Sequence, residues 1–334
     1  MVKAFVFGKF LPFHKGHQAM IDFALTHCDI LTVLVCCSDK ETIPSEVREK
    51  WIIDTYKQNS KVSVVAYNYR EEDLPNTSES SQDVSEIWSQ IFKELLPDYT
   101  LLITSEPYGN YVASYMGIRH LSFDHSRTNY PVSATAIRNN LFDNWSYLPL
   151  AVKPYFLIKI VILGTESTGK TTLTEKLAAY FAAAKVLETA RDIIKDSKAF
   201  KFDDLYTVAQ EHANKISACP IEASPLLFID TDVHITNSYA RFMYGKELEL
   251  SRETKECNKA TLYLYLNNDV PHVQDGTRLS EVDRNQLDQS HRQTLHHSGI
   301  KYHEIKGDWQ ERFKQAVDVI KSQLGIPFDH LQSL

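Results

Sequence analysis

Two histidines near the start of the chain have the spacing that nucleotidyl transfer requires. Gly8 ends an apolar run and opens segment 9–17, which reads KFLPFHKGH. Imidazoles at a helix start can donate hydrogen bonds to charge that grows on a transferring nucleotidyl group. A glycine between them lets a phosphate approach the backbone. Each histidine alone is an ordinary loop residue, but Gly8, His14, Gly16 and His17 together indicate a nucleotidyltransferase site.

A second anion-binding pattern lies later in the same half. Segment 131–138 reads PVSATAIR and follows a predicted strand. Ser133 is a typical N-cap, and its hydroxyl and the first-turn amides are open to an anion. Arg138, about one and a half turns on, supplies the fixed charge that a triphosphate needs. Alone this pattern is more often a capped helix, but beside the histidine segment it predicts a triphosphate site.

The third segment matches a P-loop residue for residue. Residues 164–171 read GTESTGKT and follow the apolar run 158–163. In this motif backbone amides surround the phosphates, the lysine bridges the β and γ oxygens, and the threonine ligates Mg²⁺. The motif predicts an ATP site made of Gly164, Glu166, Ser167, Thr168, Gly169, Lys170, Thr171 and Thr172.

Charged residues that a kinase needs follow two further predicted strands. Segment 226–232 is apolar and ends in Asp230 and Asp232, the form of a Walker B element, so either aspartate would order the Mg²⁺ shell. Segment 185–192 ends near the expected acceptor with Glu188, Arg191 and Asp192. The alternative for that trio is a solvated helix start. Both Asp192 and Asp230 are candidates for the kinase base, and the sequence leaves the choice open.

These motifs lie on alternating strand and helix patterns. Apolar runs predict strands at 4–7, 30–36, 62–66, 100–104 and 120–123, and again at 156–163, 185–187, 226–229, 261–266 and 301–305. Helices are predicted around 84–95 and at 170–183, 203–217, 234–243 and 309–324, and segment 71–83 is interpreted as a mobile loop. This order predicts an α/β chain with two doubly wound parallel sheets, a Rossmann-like nucleotidyltransferase domain at 1–150 and a P-loop kinase domain at 151–334.

Composition narrows the class of protein. The chain has 334 residues, 43% hydrophobic and 24% charged, which is typical of a two-domain globular protein. The net charge of −7 argues against a nucleic-acid footprint, and no apolar run approaches the ~18 residues that span a bilayer. The start of the chain leads directly into a strand and does not resemble a signal peptide. Five cysteines without zinc spacing indicate reduced thiols and a cytoplasmic location.

The HKGH and SATAIR segments resemble the two signatures of the adenylyltransferase branch of the nucleotidyltransferase α/β superfamily. Segment 104–109 (TSEPYG) and the P-loop half narrow the resemblance to the NadR-type family. That family fuses a nicotinamide mononucleotide (NMN) adenylyltransferase to a ribosylnicotinamide kinase. The resemblance covers roughly residues 1–325.

For the first half, the resemblance implies that His14 and His17 bind the ATP phosphates and stabilise the transition state. Ser133, Thr135 and Arg138 would hold the phosphates that leave as pyrophosphate. An NMN phosphate oxygen would attack, so positioning and Mg²⁺ carry the chemistry rather than a protein base. The remaining implied ATP contacts are Gly8, Lys9, Phe10 and Arg127.

Two aromatic residues are the candidates for binding NMN. Trp88 would stack on the nicotinamide ring, whose positive charge favours an aromatic face. A core role is an equal alternative, because Trp88 lies on the apolar stripe of its own predicted helix. Tyr108 belongs to the TSEPYG segment and is a neighbour of the nucleotide.

The kinase half departs from the family in one place. Segment 275–278 (DGTR), before a helix near Gln286, lies where small P-loop kinases carry a lid, so Arg278 and Arg284 would close over the phosphoryl group. The family often has a tryptophan just before this segment, thought to stack on nicotinamide, but this chain has His272 in that region. Either His272 or one of two other aromatic residues would replace it, namely Tyr302 or Trp309.

The sequence therefore predicts two successive MgATP-dependent reactions, riboside phosphorylation to NMN and adenylylation of NMN to NAD. The alternative keeps the adenylyltransferase and gives the P-loop domain another nucleoside or a nucleotide-sensing role. The expected partners are ATP, NMN, nicotinamide riboside and NAD. Some family members carry an N-terminal helix-turn-helix, but here Met1 directly precedes the first strand, so DNA is not an expected partner. A membrane is not expected either, because no apolar run is long enough to span one. Homo-oligomerisation is left open.

Overall fold

The computed structural model describes residues 1–76, 81–194, 200–270 and 280–325. The chain divides into two compact units, Met1–Phe156 and the residues from Leu157 onward. Each unit contains one five-stranded sheet in which every pairing is parallel. This confirms the predicted fold class of two parallel α/β sheets. Among the described residues, no helix is long and apolar enough to cross a membrane.

The first unit has the sheet order β3-β2-β1-β4-β5. Its strands are β1 (Lys3–Gly8), β2 (Ile30–Ser38), β3 (Val62–Tyr69), β4 (Leu101–Thr104) and β5 (Arg119–Ser122). Its α-helices are α1 (Lys15–Leu25), α2 (Ser45–Tyr56), α3 (Gln82–Leu95), α4 (Tyr108–Met116), α5 (Ala134–Asn139), α6 (Leu141–Asn144) and α7 (Lys153–Phe156), and a 3₁₀ turn covers Trp145–Tyr147.

Burial explains why these segments form the first sheet. Strand β2 is buried along nearly its whole length, as expected for a central parallel strand covered on both faces. Helix α3 begins at the N-cap Ser81, whose hydroxyl accepts from the Val84 amide at 3.1 Å. Its apolar stripe, including Trp88 and Phe92, packs on Phe5 and Phe7 of β1. Aromatic packing from α3 therefore holds the carboxyl end of β1 in place.

The second unit has the sheet order β10-β9-β6-β8-β7. Its strands are β6 (Ile158–Leu163), β7 (Ala184–Val186), β8 (Leu226–Asp230), β9 (Leu262–Leu266) and β10 (His303–Ile305). Its helices are α8 (Lys170–Tyr180), α9 (Ala190–Ile193), α10 (Phe202–Ser217), α11 (Val233–Tyr244), α12 (Arg252–Asn258), α13 (Glu281–His297) and α14 (Trp309–Leu324).

The central position of β6 determines where ligands reach the second sheet. Strand β6 lies between β8 and β9, so the loop after Leu163 opens at the carboxyl edge, in the middle of the sheet. Ligands of open parallel sheets bind at this edge. Helix α14 follows β10 and is fixed by a capping box between Asp308 and Glu311 and by Gly325 in the left-handed conformation. These elements place both β8 and the start of α14 beside the P-loop.

Candidate active sites

The carboxyl edge of the first sheet opens into a cavity of about 500 Å³. The structure brings together there all the predicted adenylyltransferase residues except Trp88. The predicted residues that line it are Gly8, Lys9, Phe10, His14, His17, Tyr108, Arg127, Ser133, Thr135 and Arg138.

The two histidines form one stacked unit at the start of α1. His14 is the N-cap, and its Nδ1 accepts from the amides of Gly16 at 3.1 Å and His17 at 3.4 Å. The two rings lie 3.7 Å apart between centroids, with 21° between their planes. A Cβ on Gly16 would lie 3.0 Å from Cε1 of His14, so a larger residue would require this ring to shift by a few tenths of an ångström. Because Nδ1 of His14 is an acceptor, its proton is on Nε2.

Burial keeps both imidazoles neutral. It lowers the pKa of His14 to about 4, and the charge of Arg127 adds to the effect. The pKa of His17 lies well below its usual value because of burial first, then His14 and Arg127. Nδ1 of His17 is buried with no hydrogen-bond partner among the residues that the structure describes. A negative ligand in the cavity would raise both pKa values, so the pair is suited to an anion.

Arg138 connects the two sequence motifs of the first site. Its Nη1 donates to the carbonyl oxygen of Leu11 in the histidine segment, and its Nη2 donates to Oγ1 of Thr135 at 3.1 Å. Ser133 caps α5 by accepting from the amide of Ala136 at 3.1 Å. The two motifs are therefore one site, as the sequence predicts.

The opposite wall of this cavity depends on close packing around Gly109. A Cβ there would lie 2.1 Å from Oγ1 of Thr104 and 2.5 Å from Nε2 of His120, two atoms that hydrogen-bond at 2.9 Å. Arg127 donates to Oε1 of Glu106 at 2.9 Å, which aims its guanidinium across the cavity wall. Glycine at 109 is thus a packing requirement of the TSEPYG segment.

Trp88 lies away from this cavity. Its side chain is 2% exposed, its Nε1 donates to the carbonyl oxygen of Pro75 at 2.9 Å, and Tyr69 and Phe92 pack on its ring. The structure therefore does not bring Trp88 together with the other predicted site residues. Pro75 also shows that part of the segment interpreted as a mobile loop covers α3, while residues 77–80 lie outside the described residues.

The second site is the loop that follows β6 and leads into α8. Gly164 has φ +140° and Gly169 has φ +85°, values that favour glycine. Lys170 begins α8, and its Nζ donates to the carbonyl oxygen of Thr165 at 3.0 Å. Oγ1 of Thr168 donates to the same oxygen at 2.8 Å. This backbone path with its anchored lysine is the geometry that the P-loop motif predicts.

The structure separates the roles of the two Walker B aspartates. Oγ1 of Thr171 donates to Oδ2 of Asp230 at 2.5 Å, and the Asp230 side chain is fully buried. Asp232 instead caps α11 through the amides of His234 and Ile235 and pairs with Nδ1 of His234 at 2.6 Å. The oxygens of Asp232 are thus engaged by the helix cap and by His234, whereas Asp230 faces Thr171, and Asp232 as a metal ligand stays a prediction.

Of the predicted acceptor residues, the structure describes only some side chains. Glu188 follows β7, and Asp192 is exposed and accepts from Nζ of Lys215 at 2.7 Å. Arg191 lies in α9, but its side chain is outside the described residues, as are His272 and Arg278. Because Asp192 forms a surface ion pair while Asp230 faces Thr171, the geometry favours Asp230 as the residue nearer the phosphates.

Comparisons with known proteins give a match in each half of the chain. Residues 159–312 match the model of an AAA domain, and residues 4–73 match the citrate lyase ligase C-terminal domain. The chain is 29% identical, over 96% of its own length and 83% of theirs, to the trifunctional NAD biosynthesis/regulator proteins NadR of Escherichia coli (strain K12) and Salmonella typhimurium (strain LT2). The chain is therefore similar to NadR proteins along nearly its whole length.

Two solved NadR structures share the fold of this chain. A NadR protein in complex with NR has 21% identity and a TM-score of 0.74, and covers 98% of both chains. A NadR protein in complex with NAD and AMP-PNP has 22% identity and a TM-score of 0.73, over 99% of this chain and 98% of the other. These likenesses agree with the two parallel sheets described above.

Some residues of the two candidate sites could not be found from the sequence. Glu41 lines the first cavity, accepts from Arg48 at 2.5 Å and forms an ion pair with Lys9 at 2.8 Å. Arg48, 1% exposed, also donates to the carbonyl oxygen of Lys9 at 3.0 Å. In the second site Arg284 donates from Nε to the carbonyl oxygen of Glu166 at 3.1 Å. Arg284 was expected above the phosphates, whereas no motif marked Arg48.

Proposed function

We propose that the chain makes NAD in two steps, each in one unit. The second unit would phosphorylate nicotinamide riboside to NMN with ATP, and the first would transfer AMP from ATP to NMN, giving NAD and pyrophosphate. The observation that carries this proposal is the presence of two complete phosphate sites of different design on one chain that aligns over 96% of its length with NadR proteins. Solved NadR proteins with NR, NAD and AMP-PNP support the same ligands.

In the first unit the residues act by positioning and by hydrogen bonding. An oxygen of the NMN phosphate attacks the α-phosphorus of ATP, the bond to the β-phosphate oxygen breaks, and pyrophosphate leaves. Nε2–H of His14 is available as a donor because Nδ1 is engaged with the α1 amides. Arg138, held by Leu11 and Thr135, supplies positive charge for the leaving phosphates. Neutral imidazoles that donate hydrogen bonds to the growing negative charge stabilise the transition state more than the ground state.

In the second unit the P-loop residues hold the donor and neutralise its charge. Lys170 would exchange its contact with the Thr165 carbonyl oxygen for the β and γ oxygens of ATP. The riboside 5′-hydroxyl attacks the γ-phosphorus and passes its proton to a carboxylate base, the bond from the γ-phosphorus to the β-phosphate oxygen breaks, and ADP leaves. Of the two candidate bases, Asp230 is better placed near the attacked phosphate, because it is buried and faces Thr171.

The oxygen pair of Thr171 and Asp230 suits Mg²⁺. Hydroxyl and carboxylate oxygens are ligands that this hard cation prefers, and it commonly takes few protein ligands beside substrate phosphates. Consistent with this, the described residues contain no cluster of three or more His, Cys, Asp or Glu side chains that could hold a metal by themselves. When bound, Mg²⁺ would neutralise phosphate charge.

The alternative gives the P-loop unit another nucleoside or a sensing role. It is favoured only by the departure at His272, where the family often has a tryptophan.

All five cysteines are free thiols, which suits catalysis in a reducing cytoplasm. The proposal gives DNA no role, and each proposed reaction uses residues of one chain only.

A split assay with MgATP tests the proposal. One arm supplies NMN and measures NAD and pyrophosphate; the other supplies nicotinamide riboside and measures NMN and ADP. His17→Ala should abolish only the first reaction and Lys170→Ala only the second. His27→Ala and Lys314→Ala change exposed residues of the same types and are the matched controls. Both control variants should retain both reactions. NAD formation without riboside phosphorylation would refute the kinase half and favour the alternative.

A further inference from the structure

Trp309 is an exposed tryptophan that lies directly on the P-loop. Its side chain is 50% exposed, whereas the other three tryptophans of the chain are at most 3% exposed. A Cβ on Gly169 would lie 2.1 Å from Cζ3 of the Trp309 ring. The indole therefore lies edge-on against the backbone of the P-loop, and residue 169 must be glycine for it to do so.

Arg312 supports the indole from within the same helix. Its guanidinium lies 5.7 Å from the centre of the Trp309 ring. It is 1% exposed and is fixed by donating to the carbonyl oxygens of Gly307, Thr168 and Asn267. The ring is thus held at a fixed place beside a small cleft, which Gly169, Thr172, Leu173, Lys176 and Leu266 also line.

A nucleotide bound to the P-loop would pass beside this cleft, which at about 10 Å³ is too small to hold a base itself. The P-loop and Lys170 take the β- and γ-phosphates, and Thr171 takes the metal, so the α-phosphate and the nucleoside must leave beside the next residue of α8. That residue is Thr172, which lines the cleft with Trp309. A planar base that leaves in this direction meets the indole.

The order of strands gives the same direction independently. The acceptor candidates that the structure describes, Glu188, Asp192 and Asp230, follow or end β7 and β8, on one side of the central strand β6. Trp309 follows β10, and β10 and β9 lie on the other side of β6. Because the acceptor occupies the β8 side of the P-loop, the nucleoside of the phosphate donor is left with the β9 side.

We propose that Trp309 is a positioning residue that stacks on the purine of the phosphate donor, an inference that rests on the proposed kinase function of the second unit. Base–aromatic stacking is favourable for any base with an exposed π-face. This assignment removes Trp309 from the riboside side, where the sequence had left it as an alternative. Tyr302, the other alternative, packs on Tyr265 at 5.0 Å between ring centres and takes part in the core.

A binding experiment uses Trp309 as its own reporter, since it is the single tryptophan of the second unit. The fluorescence of the full chain is titrated with MgATP, and the signal of Trp309→Phe under the same conditions is subtracted. Stacking predicts a saturable change in the difference signal with ATP and a much smaller change with inorganic tripolyphosphate, which fills the P-loop without a base. Equal changes with both ligands, or none with ATP, would overturn the proposal.

A kinetic experiment separates stacking from support of the P-loop. Trp309→Ala should raise the KM for ATP in riboside phosphorylation by about tenfold, leave the KM for riboside unchanged, and leave NAD formation from NMN unchanged. Trp309→Phe, which keeps a ring, should recover most of the loss. A rise in the KM for riboside instead would assign the ring to the acceptor, and equal losses of ATP and tripolyphosphate affinity would assign it a structural role.

The two experiments also separate this proposal from the kinase assignment. If riboside is not a substrate, the fluorescence titration still reports whether a purine reaches Trp309. If riboside is phosphorylated and the difference signal is absent, only the stacking assignment fails.

Discussion

Thr171 and Asp230 are joined by a 2.5 Å hydrogen bond at the junction of the P-loop and strand β8. Asp232, two residues further on, is equally buried but is committed to the cap of α11 and to His234. Both aspartates end the same apolar strand, so the sequence pattern cannot separate them. The structure separates them by their partners, and this gives a direct prediction.

Asp230→Asn should lower the kcat of the kinase at least a hundredfold, because it removes the charge that faces Thr171 and the phosphates. Asp232→Asn should retain most of the kcat, since asparagine still caps a helix, and should lower the free energy of unfolding by about 1 kcal/mol through the weakened pair with His234. Steady-state kinetics and urea unfolding of both variants test this. Equal losses of kcat would return Asp232 to the metal site.

Gly16→Ala should disable the adenylyltransferase without unfolding it. The new Cβ would lie 3.0 Å from Cε1 of His14, so the imidazole must shift by a few tenths of an ångström or more. Small misplacements of a positioned catalytic group can cost up to about a hundredfold in rate, and we expect a loss of about 10- to 100-fold in NAD formation. Riboside phosphorylation, measured on the same preparation, should be unchanged. Full NAD formation would show that the His14 position is not critical.

The strongest sequence patterns predicted both sheets and both phosphate loops. Strand β2 and the P-loop strand β6 are nearly continuous apolar runs, and the glycines of the P-loop are required by backbone angles that other residues avoid. In these places the local pattern and the final structure depend on the same physical cause, so prediction succeeded.

Helices with polar buried faces could not be predicted in this way. Helix α2 was not predicted, because Ser45 and Arg48 occupy its buried side and leave no apolar stripe. Helix α13 was expected only as a helix near Gln286, and its inward face carries Arg284, Asp288 and His291. These side chains are buried by tertiary hydrogen bonds, which residue spacing does not reveal.

The His14 pKa predicts an acid-sensitive first unit. Burial depresses the folded pKa to about 4, while the unfolded value is 6.5. Between these values the unfolded state binds more protons, so stability is lost as pH falls below 6.5 and the loss is complete near pH 4. At pH 5 the loss from His14 is about 2 kcal/mol, because 1.5 pKa units at 1.36 kcal/mol each have been crossed.

His14→Asn isolates this contribution, because asparagine can still cap α1 but does not titrate. Its unfolding free energy should fall less between pH 7 and pH 5 than that of the parent, by about 2 kcal/mol. Both are made in a Trp309→Phe background, so that fluorescence reports only Trp51, Trp88 and Trp145 of the first unit. Identical pH dependence in the two proteins would show that His14 is not held neutral.

Arg312 should be as important to the kinase as the P-loop that it supports. One nearly fully buried guanidinium donates to Thr168 of the P-loop at 2.7 Å, to two further carbonyl oxygens and to the carboxylate of Asp269. Lysine is a point charge that cannot reproduce this fork. Arg312→Lys should therefore lower the unfolding free energy of the second unit by about 2–4 kcal/mol. It should also raise both the KM for ATP and the dissociation constant of tripolyphosphate.

The matched control is Lys314→Arg, which changes an exposed cation on the same helix. It should leave both kinase constants and the unfolding free energy within error of the parent. Full ATP affinity in Arg312→Lys would show that a single charge is enough to hold Thr168. A parallel loss of phosphate and nucleotide affinity in Arg312→Lys, beside a loss limited to nucleotide in Trp309→Ala, would separate support of the P-loop from recognition of the base.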